Sequence, residues 1–179
     1  MNGTIKLVLV GLGLVGRRHA DVICKTKDAK LVAVVDPSED AHNYARKKSL
    51  KIYSSLEDMF IEQSPDGIIL ATPTQMHIEQ GFYCIQRNCP VMIEKPIASS
   101  SAEALALVEK SENLGVSVLV GHHRRYNPII QRASEAILSG KIGKIRAIHA
   151  NCWFYKSDEY FDVAEWRKKS GAGPISVNL

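Results

Sequence analysis

Three places in this 179-residue sequence bring together residue types that can do chemistry. The first is Gly11-Leu12-Gly13-Leu14-Val15-Gly16, which follows the apolar, β-branched-rich run Ile5–Val10 without a gap. Glycines at this spacing between a strand and a helix suit a dinucleotide pyrophosphate. Gly11 permits the tight turn, Gly13 removes a side chain where the phosphates approach the backbone, and Gly16 lets the helix lie close to the sheet. The helix N-terminus adds unpaired N–H groups and a partial positive charge. A glycine turn with no ligand is the other reading of the same residues.

The second place is Asp36, which ends the next apolar run, Leu31–Val35, 20 residues after Gly16. A carboxylate there can accept hydrogen bonds from the adenosine ribose hydroxyls of NAD. Against the 2′-phosphate of NADP it sets like charges a few Å apart, about 4 kcal/mol per unit charge at ~4 Å and an effective dielectric near ~20. Screening shrinks that figure, but ~1.4 kcal/mol is already tenfold in affinity. No arginine follows Asp36 directly, so NAD is expected over NADP. Asp36 as a plain helix cap is compatible with the same placement.

The third is Glu94-Lys95-Pro96, after the short apolar run Val91–Ile93, with Ala71-Thr72-Pro73-Thr74 in the matching place after Gly67–Leu70. Both segments sit at carboxyl ends of expected strands, where open α/β sheets bind ligands. Lys95 there can hydrogen-bond a substrate hydroxyl or carbonyl and ease proton loss during oxidation. From spacing alone, a surface lysine in a loop is an equal alternative.

The elements that must position these groups alternate regularly. Strands are expected at Ile5–Val10, Leu31–Val35, Ile52-Tyr53, Gly67–Leu70, Val91–Ile93 and Val116–Val120, with helices between them. The helix after the glycine loop should run to about Lys25. Pro37 suits the first turn of the following helix, and Thr74 can cap the one that runs to about Arg87. Ser54–Glu57 and Ser100–Glu103 have the spacing of capping boxes. Nearly continuous apolar strands separated by helices indicate an α/β, doubly wound parallel sheet (Rossmann) over residues 1–121. Beyond it, 122–179 looks like the beginning of an α+β second domain. A helix is expected over Pro128–Leu138 and a long strand over Ile145–Phe154, which would need a partner on the first domain or another chain.

Composition narrows the classes. Hydrophobic residues make up 45% and charged residues 23%, as in a packed globular chain. The net charge of +4 is spread out, and its densest runs, such as His122-His123-Arg124-Arg125 and Arg167-Lys168-Lys169, make no nucleic-acid footprint. Duplex DNA binding through Arg124-Arg125 and the basic tail is the minor alternative, and it would be steeply salt-dependent. Cysteines 24, 84, 89 and 152 form no CxxC pair, so no metal site is expected. With an N-terminus that enters a strand directly, they read as thiols of a cytoplasmic protein. No stretch approaches the ~20 apolar residues of a membrane span.

Taken jointly, the motifs resemble the Gfo/Idh/MocA family of nicotinamide-dependent sugar and polyol dehydrogenases. The resemblance rests on Gly11–Gly16, Ala71-Thr72-Pro73-Thr74-Gln75-Met76-His77, Val91–Ala98 with Glu94-Lys95-Pro96, and Gly121–Pro128. It continues through Ile142-Gly143-Lys144-Ile145 and Trp166–Pro174, in family order along essentially the whole chain. It implies that Lys95 is the active-site lysine, with a cis bond before Pro96. It places Thr72, Pro73 and His77 around the cofactor and Glu94 near the nicotinamide. His123 and Arg124 would fall near the nicotinamide and substrate pocket, and Trp166-Arg167 in a loop that reaches back to the cofactor in some members. The expected partners are a small sugar or polyol and a second copy of the chain, with no nucleic acid or membrane.

In that family the segment after Gly-x-Gly-Pro continues into a helix whose histidine commonly acts as acid/base. This sequence stops at Pro174–Leu179, where that helix would begin. Two readings therefore stand: an NAD(P)-dependent oxidoreductase acting on a CH–OH group, and a non-catalytic nicotinamide-dinucleotide-binding protein, either a sensor or an inactive homologue.

Overall fold

The computed structural model describes residues 3–151, 153 and 155–162, which fall into two units, one within 3–121 and one from residue 122 onward. The first runs β1 (Ile5–Val10), α1 (Leu14–Ile23), β2 (Ala29–Val35), α2 (Glu39–Lys47), β3 (Ile52–Tyr53), α3 (Leu56–Glu62), β4 (Gly67–Leu70), α4 (Thr74–Ile85), β5 (Val91–Ile93), α5 (Ser101–Leu114) and β6 (Val118–Val120). The six strands form one parallel sheet in the order β3-β2-β1-β4-β5-β6. This is the Rossmann order, with its switch point between β1 and β4, where Val8 pairs with Ile68 and Val10 with Leu70.

Apart from Lys6 and Lys30 at the starts of β1 and β2, the strands are apolar, because helices cover both faces. Val8 and Val10 point to one side, into a core with Ile68, Leu70, Val91, Ile93, Met59 of α3, Cys84 and Ile85 of α4, and Leu107 of α5. Leu9 and Val34 point to the other, against Ala20 and Ile23 of α1 and Ala41 and Ala45 of α2. Val8, Leu9, Leu70, Ile93 and Leu107 have no exposed surface, and emptying any one of these sites costs about 2–5 kcal/mol.

Helix starts follow serine hydroxyls rather than some of the expected residues. Ser38 Oγ accepts from the Ala41 N–H, so α2 begins after Pro37, not with it. Ser55, paired with Asp58, caps α3 one residue later than the Ser54–Glu57 spacing implies. The Ser100–Glu103 box forms as expected. Thr74 does not cap α4; it is buried inside the first turn, and the N-cap is Pro73, which has no side-chain acceptor. The glycine-loop helix ends at Ile23, and β6 begins at Val118.

The second unit contains a 3₁₀ turn (His123–Tyr126), α6 (Pro128–Leu138) and α7 (Asp158–Asp162). Asn127 caps α6 through the Ile129 N–H, with Pro128 in its first turn. The strand expected over Ile145–Phe154 does not form in the described part of that stretch, which carries no regular structure. A strand exists through its ladder, and no pairing partner reaches this segment among the described residues. Ile148 and Trp153 are 81% and 90% exposed.

Candidate functional site

The site lies at the carboxyl ends of β1, β2, β4 and β5, around the switch point. Gly11 leaves β1 at φ +91°, and a Cβ there would stand 2.7 Å from the Ala71 carbonyl oxygen. Gly16 lies in the first turn of α1, where a Cβ would overlap the Gly11 carbonyl oxygen. Both glycines are therefore required by the fold itself. Gly13 is different. It is the N-cap of α1 with φ −67°, open to any residue, and a Cβ on it meets nothing within 4 Å. Serine or aspartate would cap the helix better, yet α1 starts with no side-chain cap. No N-cap side chain takes the N–H groups at this end, and the neighbouring Leu14 and Val15 side chains are exposed. A phosphate fits that vacant Cβ position and those donors.

Asp36, at the end of β2, is half-buried and does two jobs. Oδ2 accepts the Leu12 N–H at 2.8 Å, holding the middle of the glycine loop. Oδ1 accepts from the N–H and hydroxyl of Ser38 at 2.9 and 2.6 Å. On the other side of the Leu12 peptide, Arg17 Nε donates to the Leu12 carbonyl oxygen at 2.9 Å. The Arg17 guanidinium pairs with Asp40 and stacks over Tyr44, 4.6 Å from the ring centroid. Arg17 is thereby committed to the loop and to α2.

At the end of β4, the Thr72 hydroxyl donates to Gln80 Oε1 at 2.6 Å. His77, on α4 and 1% exposed, lies between two backbone carbonyls: Nε2 is 2.9 Å from Thr72 O and Nδ1 is 2.9 Å from Pro96 O. It ties the end of β4 to the turn after β5. Both ring nitrogens are engaged by backbone, which leaves neither for a ligand. A neutral imidazole can donate to one carbonyl only. Burial pushes its pKa below the ordinary value, against the two carbonyls and Glu94, which pull it up.

After β5, the Lys95–Pro96 peptide is cis. Lys95 is half-buried, and its N–H donates to Glu94 Oε2 at 3.2 Å. Glu94 Oε1 lies 2.8 Å from His19 Nε2 on α1, and both side chains are largely buried. Burial raises the Glu94 pKa, but the His19 bond and charge, with Lys95, outweigh it and hold the carboxyl below its ordinary value.

This geometry is that of a known family. The description "Oxidoreductase family, NAD-binding Rossmann fold" (GFO_IDH_MocA) matches residues 5–122. The chain belongs to this family. It is 31% identical over 154 residues to a 4-carboxy-2-hydroxymuconate-6-semialdehyde dehydrogenase of a Sphingobium strain, covering 85% of this chain and 49% of that protein. It is 32% identical over 151 residues to the scyllo-inositol 2-dehydrogenase (NAD(+)) of Bacillus subtilis, covering 80% and 43%. Among solved structures, the WlbA dehydrogenase of Bordetella pertussis in complex with NADH and UDP-GlcNAcA superposes with a TM-score of 0.87 at 29% identity, covering 92% of this chain and 51% of that one. The chain thus spans about half the length of the relatives it matches.

Within this Gfo/Idh/MocA domain, the structure gathers Gly11, Leu12, Gly13, Leu14, Val15, Gly16, Asp36, Ala71, Thr72, Pro73, Glu94 and Lys95 at the same ends of the sheet. His123 and Arg124 belong to the second unit, where both are exposed in the 3₁₀ turn. Trp166 and Arg167 lie outside the described residues. Sequence reasoning passed over His19, Arg17 and Gln80. For His19 and Arg17 a signal existed: they follow Gly16 by three residues and by one, on the helix that opens the site. No helix among the described residues is long and apolar enough to cross a membrane.

Proposed function

We propose that this chain is the dinucleotide-binding part of an NAD-dependent oxidoreductase acting on a CH–OH group of a sugar, polyol or related compound. The observation that carries the reading is Gly13: a glycine at an ordinary φ, with empty space where a Cβ would be, at the uncapped start of α1. Gly11–Gly16 and the α1 N–H groups would hold the pyrophosphate. Asp36 would accept the ribose hydroxyls, and Ala71, Thr72 and Pro73 would line the path to the nicotinamide. The bound nicotinamide would supply the hydride acceptor or donor.

Lys95 would donate a hydrogen bond to the substrate oxygen and stabilise it as the proton leaves. Glu94 would hold the Lys95 backbone, and His77 would hold the turn at Pro96. His123, Arg124, Trp166 and Arg167 would complete the nicotinamide and substrate side. Free thiols at Cys24, Cys84 and Cys89 support a reducing, cytoplasmic setting. Exposed Ile129, Ile130 and Leu138 on α6 support a homodimer, which light scattering would test.

The test is a titration with NADH and NADPH, followed by nicotinamide fluorescence at fixed salt. NADH binding tighter than NADPH supports the reading; no binding of either by folded protein overturns it. Reduction of NAD by polyols that falls about 10²–10⁴-fold in Lys95→Ala supports the catalytic part. Binding without turnover of any such compound supports the non-catalytic reading instead.

A further inference from the structure

His19 lies outside the glycine motif and outside the lysine turn, yet it joins them. Its Nε2 meets Glu94 Oε1 at 2.8 Å, while Glu94 Oε2 takes the N–H of Lys95. On a third side the carboxylate lies beside Gly121, just past β6, in the space a Cβ would need: one built there would stand 3.1 Å from Oε1. The Gly121 N–H donates to Ile93 O at 2.8 Å, which keeps that glycine against the β5 end. Glu94 therefore has little freedom, and the Glu94–Lys95 peptide is oriented by its own side chain. His19 sits five residues beyond Leu14, roughly 8 Å along the helix axis from the uncapped end of α1. The same rigid helix presents the phosphate-binding N–H groups at one end and holds Glu94 from its middle.

We propose that His19 is a positioning residue which, through Glu94, sets where Lys95 and the nicotinamide end of the site stand relative to the pyrophosphate loop. This rests on the dinucleotide reading above. Binding of the ADP-ribose half depends on the loop and Asp36, whereas binding of the nicotinamide half depends on the His19–Glu94–Lys95 chain. Loss of His19 then affects one half of the ligand and spares the other. Glutamine at position 19 restores the effect, because its amide can still donate to the Glu94 carboxylate.

The experiment compares ADP-ribose and NADH binding, by calorimetry and nicotinamide fluorescence, for the wild-type chain, His19→Leu, His19→Gln and Glu94→Gln. The expected result for His19→Leu is ADP-ribose affinity within twofold of wild type and NADH affinity about tenfold weaker. That is the scale of one charge-assisted hydrogen bond. His19→Gln should recover most of the loss. Equal weakening of both ligands, or no weakening of either, overturns the proposal. If wild type binds neither ligand, the dinucleotide reading itself fails. The Glu94 carboxyl then still decides whether His19 holds it: by ¹³C titration, with Glu94→Gln as the assignment control, His19→Leu must raise its midpoint. An unmoved midpoint overturns the linkage.

Discussion

The Leu12 N–H donates to Asp36 Oδ2 at 2.8 Å, so the acid that ends β2 also anchors the glycine loop that follows β1. In the proposed site Asp36 would also accept the ribose hydroxyls, so a structural role and a ligand role would meet in one carboxylate and its substitutions are separable. Asp36→Ala removes both functions and leaves the Leu12 N–H without its acceptor. Asp36→Asn keeps an oxygen for Leu12 and no longer repels a 2′-phosphate, while its amide can donate to the Ser38 hydroxyl but leaves the Ser38 N–H without its acceptor. Asp36→Asn should therefore bind NADPH at least tenfold better relative to NADH than wild type does, with a loss of stability of about 1 kcal/mol from the lost Ser38 bond. Asp36→Ala should weaken both cofactors. Titrations of the two variants check this, and an unchanged NADH-to-NADPH ratio in Asp36→Asn would remove Asp36 from cofactor choice.

The three loop glycines should respond differently to one added methyl group. Gly13→Ala introduces a Cβ into open space at an allowed φ, so the stability should fall by no more than about 1 kcal/mol, the cost of alanine in place of glycine at an N-cap. NADH binding should nonetheless fall steeply, because the Cβ would occupy the place proposed for the phosphate. Gly16→Ala drives a Cβ into the Gly11 carbonyl and must unpack α1 from the loop; overpacking of this kind costs about 1–3 kcal/mol or more. Thermal melts beside NADH titrations make the comparison. A stable Gly13→Ala that binds NADH normally would contradict the site.

These contrasts show what was legible in the sequence. The strands could be read because a sheet covered on both faces needs unbroken apolar runs, and the ligand loops because their positions follow from strand order. What escaped are contacts made by folding alone. His77 meets carbonyls five and 19 residues away, and a backbone acceptor leaves no trace in residue type. His19 meets Glu94 across 75 residues. Helix starts shifted by one or two residues because neighbouring serines compete as caps, as with Ser54 and Ser55. The Ile145–Phe154 pattern alternates like a strand, but alternation supplies a face and not a partner.

The buried thiols give a chemical check on the core. Burial raises the Cys84 pKa to about 12 and that of Cys89 to about 11, so neither holds appreciable thiolate near neutral pH. Cys24 is exposed on the far end of the glycine-loop helix. Under native conditions a disulfide reagent should modify Cys24 quickly, while Cys84 and Cys89 react only as the first unit unfolds. Mass mapping of modified peptides reads this directly. Rapid labelling of Cys84 in folded protein would mean that the packing of α4 against the sheet is wrong.

His77 makes a prediction with a definite sign. Its folded pKa lies below the ordinary 6.5 because burial outweighs the two carbonyl bonds. As pH falls through 6.5 the unfolded chain takes up a proton that the folded chain refuses, so stability is full above 6.5 and is lost below it. The loss continues down to the folded pKa, with a slope approaching about 1.4 kcal/mol per pH unit. His77→Phe abolishes this proton but also removes a donor from the carbonyls of Thr72 and Pro96, at about 1–3 kcal/mol. It should therefore be less stable than wild type at pH 7.5, with the gap narrowing toward pH 5. Chemical denaturation across that pH range measures the gap, and a gap that stays constant or widens would mean His77 is not held neutral between the two loops.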